Sequence, residues 1–116
     1  MGYSRRDLVW AHDPFKSTGS PRPWLIIAFE TMPFPGDLLA VACTRSEYPS
    51  LNHKLESRHF ESGNKPDQTT YCSPWLLATV KPGLIRNKQG TLTNAFTDAI
   101  ARDAKSFIDT GTDGSM

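Results

Sequence analysis

Residues 22–44, RPWLIIAFETMPFPGDLLAVACT, contain the two strands that decide the fold. Residues 24–29 (WLIIAF) form a continuous apolar run, and residues 38–43 (LLAVAC) form a second one. Runs of this kind predict strands that are buried on both faces. The connection contains MPFPG, whose prolines and glycine predict a turn. Two core strands joined by so short a connection predict a hairpin, and therefore an antiparallel sheet.

Further strands are predicted on both sides of this hairpin. Residues 7–11 (DLVWA) read as a first strand, because the following HDP ends it with a proline. Residues 71–80 (YCSPWLLATV) predict another strand, in which Pro74 requires an edge position or a bulge. Residues 53–56 alternate weakly and predict a short strand.

The remaining segments are polar and predict turns and loops. Residues 57–69 are mostly polar and contain the turn signal Gly63-Asn64. Pro82-Gly83 and Gln89-Gly90 are predicted to be turns as well. These segments give no periodic apolar pattern, so the sequence predicts no further strand there.

The sequence predicts one helix, close to the end of the chain. Phe96, Ile100, Ala104 and the pair Phe107-Ile108 recur at helical spacing. Thr93 or Asn94 can cap its start, Asp98 lies near its positive end, and Gly111 follows its last turn. The small, polar tail 110–116 is expected to fray.

Strands followed by one C-terminal α-helix predict a mainly β fold. We expect a small antiparallel sheet that curls into a partial barrel and is plugged by the helix. The 116 residues suffice for one modest hydrophobic core, so residues 1–116 are predicted to form a single domain.

Composition restricts the classes of function. The formal net charge is +1, so the basic excess of a general nucleic-acid binder is absent and any RNA contact must come from a local patch.

Cys43 and Cys72 lie in apolar segments. One disulfide is possible, but buried free thiols are the favoured interpretation for a chain without a signal peptide. No apolar run approaches the roughly 20 residues that span a bilayer, so we expect a soluble, cytoplasmic protein with no membrane contact.

Metal and cofactor chemistry have little support in the residue pattern. The three histidines are scattered, and no CxxC or HExxH spacing occurs. His53 and His59 near Glu56 and Glu61 could in principle form a site, but surface histidines in a polar loop are the favoured interpretation. Phosphate-cradling glycine loops and a GxSxG nucleophile pattern are also absent. We therefore predict no metal and no cofactor.

Two residues at the strand ends could bind a phosphodiester. Arg22 lies between Pro21 and Pro23, which limit its backbone freedom, and its guanidinium suits a phosphodiester. Thr44 ends the second core strand, where its hydroxyl could donate to a phosphoryl oxygen. The plain alternatives are a surface ion pair for Arg22 and a hydrogen bond to its own backbone for Thr44.

The order of these motifs resembles that of a known family. DLVWAHDP, a Ser/Gly loop, RPWLII and LLAVACTRS are similar to the opening of the MazF/PemK (Kid-like) toxins. That family opens with a strand and turn ending in D-P, then a polar loop, an R-P-[hydrophobic] strand and a strand ending in C-T or I-T. The match covers about the first half of the chain, and the second half agrees only in layout. The segments PWLI and SPWLL resemble those of haloarchaeal members, although the near-neutral net charge is not typical of a halophilic protein.

The resemblance implies a fold, a function and partners. The fold would be the small barrel of the CcdB, MazF and Kid toxins, which is of the Src-homology-three-like type. The protein would be the toxin of a type II toxin-antitoxin system and form a homodimer, with single-stranded RNA in a groove that a cognate antitoxin blocks. It would be a metal-independent endoribonuclease, in which the ribose 2′-hydroxyl attacks the phosphorus and leaves a 2′,3′-cyclic phosphate.

The resemblance also assigns roles to residues. Arg22 matches the catalytic arginine of the family, which stabilises the phosphorane, and Thr44 matches the catalytic threonine, which holds a non-bridging oxygen. Independently of the resemblance, Lys16 and Arg45 could add positive charge for RNA, and Ser46 lies beside Thr44; solvated surface charges are the plain alternative for Lys16 and Arg45.

The polar loop departs from the family pattern, which often carries S-E-Q. Here residues 16–20 read KSTGS and hold no carboxylate, so the general base is open. His12 and Asp13 are candidates for the missing general base, although Asp13 is better suited to capping the turn. Ser17 and Ser20 could support the loop.

A non-catalytic protein on the same fold is the alternative. CcdB-like toxins bind DNA gyrase, and fold alone does not separate them from ribonucleases. They act largely through C-terminal residues, commonly Trp-Gly-Ile, whereas this sequence ends in DGSM, which disfavours that interpretation. A decayed member that only binds RNA or an antitoxin is the second form of this alternative.

Overall fold

The computed structural model describes residues 2–14, 16 and 19–109. Within these residues the backbone forms seven strands, two short 3₁₀ helices and one α-helix. The strands are β1 Asp7–Ala11, β2 Arg22–Ala28, β3 Leu38–Thr44, β4 His53–Lys54, β5 Phe60–Gly63, β6 Tyr71–Val80 and β7 Ile85–Leu92. The 3₁₀ helices are Ser57–His59 and Pro82–Leu84, and the α-helix, α1, is Asn94–Asp109.

The strands form one antiparallel sheet in the order β4-β6-β3-β2-β1-β7-β5. It curls into a half-barrel, with α1 packed against its β2 and β6 strands. The prediction of a mainly β fold, curled from an antiparallel sheet and followed by a C-terminal helix, is confirmed. No helix in the described ranges has the length and apolar character needed to cross a membrane.

The β2–β3 hairpin is confirmed, and its two faces contribute to two cores. Leu25 pairs with Val41, and both pack with the buried face of α1. Trp24 pairs with Ala42, and both pack in a second cluster on the other face of the sheet. Burial on both faces explains why the two strands read as unbroken apolar runs.

Strand β6 contains the bulge that Pro74 predicted. Val41 pairs with Leu77 and Cys43 pairs with Cys72, so residues 73–76 of β6 all lie opposite the single residue Ala42. Such extra residues leave the ladder and re-aim side chains. Here they turn Ser73 and Trp75 toward the end of β3 where the polar residues lie.

The Gln89-Gly90 turn prediction is wrong, because both residues lie inside β7, which pairs with β1 and β5. A Cβ on Gly90 would lie 2.5 Å from the carbonyl oxygen of Ser62, so the glycine permits two strands to approach closely. Strand β5 was also missed within the polar segment 57–69. Most side chains of β5 and β7 are exposed, and they therefore lack the apolar alternation that marks a half-buried strand.

Helix α1 begins where the sequence predicts. The hydroxyl of Thr93 accepts a hydrogen bond from the backbone N–H of Phe96 at 3.2 Å, which identifies Thr93 as the cap. Phe96, Ile100 and Ala104 are buried as expected. Phe107 and Ile108 are not part of that buried stripe, since 39% and 66% of their surface is exposed. The tail 110–116 with its Gly111 lies outside the described residues.

Candidate active-site groove

A groove of about 980 Å³ opens where β2 begins and β3 ends. Five residues that the sequence singled out line it, namely Ser20, Arg22, Thr44, Arg45 and Ser46. Residues about 20 positions apart in the chain are therefore brought to one surface by the β2–β3 hairpin. Cys43 also lines the groove, directly before Thr44.

The β2–β3 hairpin brings Arg22 and Thr44 to the same end of the sheet. The ladder between the two strands begins at the pair Trp24–Ala42, and Arg22 and Thr44 each lie two residues beyond that pair. Both residues line the groove, so a guanidinium and a hydroxyl are available at one surface.

The guanidinium of Arg22 is available to a ligand. The side chain is partly buried, and among the described residues it makes no hydrogen bond and no ion pair. The surface ion pair that the plain alternative expected is thus not seen within that part of the chain. A partly buried, always-charged donor without a counter-ion suits an anionic oxygen.

Thr44 belongs to a chain of hydroxyl hydrogen bonds. Its Oγ1 lies 3.3 Å from the carbonyl oxygen of Ser46, to which it donates, and 3.4 Å from the hydroxyl of Ser73. Ser73 is fully buried, and its oxygen accepts from the Nδ2 of Asn52 at 3.3 Å. The proton of Ser73 is therefore the one that points to Thr44, and the long bond from Thr44 to Ser46 leaves its hydroxyl able to rotate toward a ligand.

Asn52 anchors the loop that follows β3. Its Oδ1 accepts from the backbone N–H of Tyr48 at 3.0 Å, and its Nδ2 donates to the carbonyl of Ser46 at 2.9 Å. Both ends of the amide are used, which fixes the orientation of the side chain. The loop carrying Arg45 and Ser46 is held against the groove in this way.

An aromatic pair lines the groove next to this loop. The ring centroids of Tyr48 and Trp75 lie 5.7 Å apart at an interplanar angle of 83°. Trp75 also contacts Phe107 on α1, with centroids 5.8 Å apart and an angle of 62°. Asn52, Ser73 and Trp75 were not identified from the sequence. For Ser73 and Trp75 the signal in the sequence was Pro74, which predicted a bulge but not which side chains the bulge turns toward the groove.

The other proposed base and binding residues lie elsewhere or outside the described part. Within the described ranges, His12, Asp13 and Lys16 do not line the groove. The Nε2 of His12 lies 3.2 Å from the Nη2 of Arg86. The carbonyl of Asp13 accepts from the backbone N–H of Lys16 at 3.1 Å, consistent with a turn there. Ser17 lies outside the described residues.

The remaining histidines have structural contacts. The Nε2 of His53 lies 2.6 Å from the Oδ2 of Asp103 on α1. His59 stacks on Phe96 with centroids 4.3 Å apart, and its Nδ1 accepts from the backbone N–H of Glu56. Burial, together with the nearby guanidinium of Arg58, lowers the pKa of His59. No group of three His, Cys, Asp or Glu side chains suited to a metal ion occurs in the described part of the chain.

The two cysteines are buried free thiols that face each other across β3 and β6. Burial raises the pKa of Cys72 well above its usual value, and a hydrogen bond from the Cys72 thiol to Cys43 raises it further. A thiol that stays protonated is a poor nucleophile. The pair therefore acts as core packing beside the groove.

Comparison with known proteins identifies the fold. No family model and no curated protein sequence matches the chain. The Mycobacterium tuberculosis toxin MazF-mt6 matches with a TM-score of 0.67 and 16% identity, over 90% of this chain and 97% of that one.

Two further solved structures have a similar fold. An endoribonuclease in complex with its cognate antitoxin from a mycobacterial species matches with a TM-score of 0.62 and 18% identity, over 91% of each chain. An endoribonuclease from a mycobacterial species matches with a TM-score of 0.59 and 17% identity, over 92% of this chain and 90% of that one. These neighbours give no support to the haloarchaeal resemblance. Over 90% of its length, this chain has the fold of the toxin MazF-mt6.

Proposed function

We propose that the protein is a MazF/PemK-like toxin of a type II toxin-antitoxin system, and that it cleaves single-stranded RNA without a metal. The observation that carries the proposal is that Arg22, whose guanidinium has no partner among the described residues, lines the same groove as Thr44. The names of the structural neighbours, a toxin and two endoribonucleases, support the same activity.

The groove supplies the groups that such a reaction needs at the phosphate. The ribose 2′-hydroxyl attacks the adjacent phosphorus, the bond to the 5′-oxygen breaks, and the products are a 2′,3′-cyclic phosphate and a 5′-hydroxyl. Negative charge builds on the non-bridging oxygens in the transition state, where fixed donors are most effective. Arg22 would neutralise that charge and the hydroxyl of Thr44 would donate to one of the oxygens, which their shared position in the lining of the groove supports.

The general base is proposed to be Asp67. It is exposed, and it provides the one carboxylate among the described residues that line the groove, where the sequence offered only stand-ins. Asp67→Asn should lower cleavage by about 100-fold, because a positioned general base contributes a factor of that order. Asp13→Asn is the control, since it removes a carboxylate that does not line the groove, and it should cleave as wild type does. Unchanged cleavage by Asp67→Asn would assign the base to another group.

The proposed partners follow from the same comparison. One neighbour is described in complex with its cognate antitoxin, and we propose that an antitoxin also covers this groove. A homodimer with RNA lying across both copies, in the cytoplasm, is part of the same proposal. Sedimentation of the purified protein tests the dimer, and co-purification with the product of an adjacent short reading frame tests the antitoxin.

Cleavage of single-stranded RNA in excess chelator is the direct test. Wild type should produce fragments with 2′,3′-cyclic phosphate ends, and Arg22→Ala should not. Arg58→Ala is a matched control, because Arg58 is an exposed arginine outside the groove that pairs with Glu56. Equal cleavage by wild type and Arg22→Ala would refute the role of Arg22. RNA binding without cleavage would favour the non-catalytic alternative, a decayed RNA or antitoxin binder, and binding of gyrase instead would favour a CcdB-like one.

A further inference from the structure

The aromatic wall of the groove, defined as Tyr48 and Trp75, has no role in the phosphate chemistry. Tyr48 is 47% exposed and Trp75 is partly buried, and both line the groove that contains Arg22 and Thr44. Two adjacent aromatic side chains inside a groove form an apolar surface that a ligand can cover. The phosphate chemistry makes no use of this surface.

Both residues of the wall are held in place, and their rings support each other through an edge contact. The backbone N–H of Tyr48 donates to the Oδ1 of Asn52 at 3.0 Å, and its carbonyl accepts from the N–H of Leu51 at 2.9 Å. Trp75 lies on the β6 bulge and is supported by an edge contact with Phe107. Fixed rings lose little conformational entropy when a planar group stacks on them.

Charge around the wall favours an anionic ligand with planar groups. The described lining residues include two arginines, Arg22 and Arg45, against the single carboxylate of Asp67. Gln68 and Thr70 add uncharged hydrogen-bonding groups to the same surface. Guanidinium groups for phosphates combined with aromatic faces are the features by which proteins hold single-stranded nucleic acid.

We propose that the Tyr48–Trp75 wall is a stacking subsite for one nucleobase of the bound RNA strand, adjacent to the phosphate that Arg22 and Thr44 contact. The inference deepens the proposed function and rests on it. The stacked base fixes the strand in the groove and sets the position of the scissile phosphate. Stacking accepts any base, so the subsite contributes affinity and register rather than a base-specific contact.

Binding of a 2′-O-methyl RNA oligonucleotide tests the subsite without cleavage, because the attacking hydroxyl is blocked. Tyr48→Leu and Trp75→Leu should each weaken binding by roughly 10-fold, and Trp75→Phe should bind nearly as wild type. An oligonucleotide that carries a scan of single abasic sites should lose affinity for wild type at one position. That position should lose its effect in Trp75→Leu.

Phe34→Leu is the matched control, since Phe34 is a 68% exposed aromatic residue that does not line the groove. Circular dichroism checks the fold of each variant, and the abasic scan on wild type keeps the test independent of any variant that misfolds. Equal affinity of wild type for every abasic oligonucleotide would overturn the subsite even if cleavage is normal.

Two other outcomes are separated by the same measurements. Stacking at one position without any cleavage of ordinary RNA would support the subsite and contradict the proposed catalysis, whereas no RNA binding by wild type would overturn both. If Tyr48→Leu and Trp75→Leu change the sedimentation coefficient but not the affinity per protomer, the wall is a contact between two copies of the chain, and the subsite is refuted.

Discussion

Strand β2 has an arginine near each of its ends, and the two arginines differ in what they contact. Arg5 lies across the end of β2, where its Nε donates to the carbonyl of Ile27 at 3.0 Å and its Nη2 contacts Asp98 of α1 at 2.8 Å. Arg22, at the start of β2, has no such partner among the described residues. Arg5 therefore uses its donors to join the helix to the sheet, whereas the donors of Arg22 have no partner in the described part of the chain. Two arginines at opposite ends of β2 thus differ in what they can contribute to stability.

The largest effect should come from Arg22→Ala. Loss of a preorganised donor at developing negative charge is expected to lower kcat by about 100- to 1,000-fold. The free energy of unfolding should change by less than about 0.5 kcal/mol, because no side-chain hydrogen bond or ion pair in the described part of the chain is lost. Single-turnover cleavage and urea denaturation measure the two quantities. A large loss of stability would show that Arg22, like Arg5, stabilises the fold.

A smaller effect is expected from Ser73→Ala, which removes the hydroxyl behind Thr44. We expect kcat to fall by about 10-fold, since Thr44 loses the donor that orients it. The same change in a Thr44→Val background should have no further effect on kcat if Ser73 acts through Thr44. Thr97→Val is the control for a buried hydroxyl, because the hydroxyl of Thr97 has no hydrogen-bond partner. Additive effects of Ser73→Ala and Thr44→Val would contradict the positioning role.

Arg5→Ala should affect stability and leave catalysis unchanged. The bond to Ile27 and the partly exposed pair with Asp98 together should contribute about 1 kcal/mol to the free energy of unfolding. Denaturant midpoints measure the change, and kcat at a temperature well below the midpoint serves as the control. A reduced kcat with unchanged stability would contradict the proposed difference between Arg5 and Arg22.

The smallest expected effect is on the pH dependence of the free energy of unfolding, and it concerns His59. Burial lowers the pKa of His59, so the unfolded chain binds a proton more readily than the folded one. The stabilisation is therefore complete above the unfolded pKa of about 6.5 and is lost as pH falls below it. Wild type should lose more stability than His59→Gln between about pH 7.5 and about pH 5.5, with a small difference because the ring is partly exposed. Identical pH dependence would show that His59 titrates alike in both states.

The sequence predicted the elements whose pattern is local. The runs 24–29 and 38–43 are apolar because both faces of β2 and β3 are buried, and each was placed to within two residues of its observed ends. Strands β5 and β7 were missed, since their exposed polar residues become a strand only through pairing with each other and with β1. Tertiary context of this kind leaves no trace in a local pattern.

The site was predictable only in part, for a related reason. Physical arguments alone left Arg22 and Thr44 as ordinary strand-end residues, and the resemblance to the MazF/PemK toxins gave them a role. Ser73 contacts Thr44 across a sequence separation of 29 residues, and Asn52 contacts Ser73 across one of 21. Such contacts depend on the loop after β3 and on the β6 bulge, neither of which a spacing rule describes.

The β6 bulge separates two tasks along one strand. Tyr71 and Cys72 on one side, and Leu77 to Val80 on the other, keep the ladder with β3. Residues 73–76 between them are released from that ladder; Ser73 and Pro74 are buried there, Leu76 packs against the second core, and Trp75 lines the groove. A change at Trp75 would therefore alter the lining of the groove while the ladder on either side keeps the register of the sheet, which gives selection one position to vary without refolding the barrel.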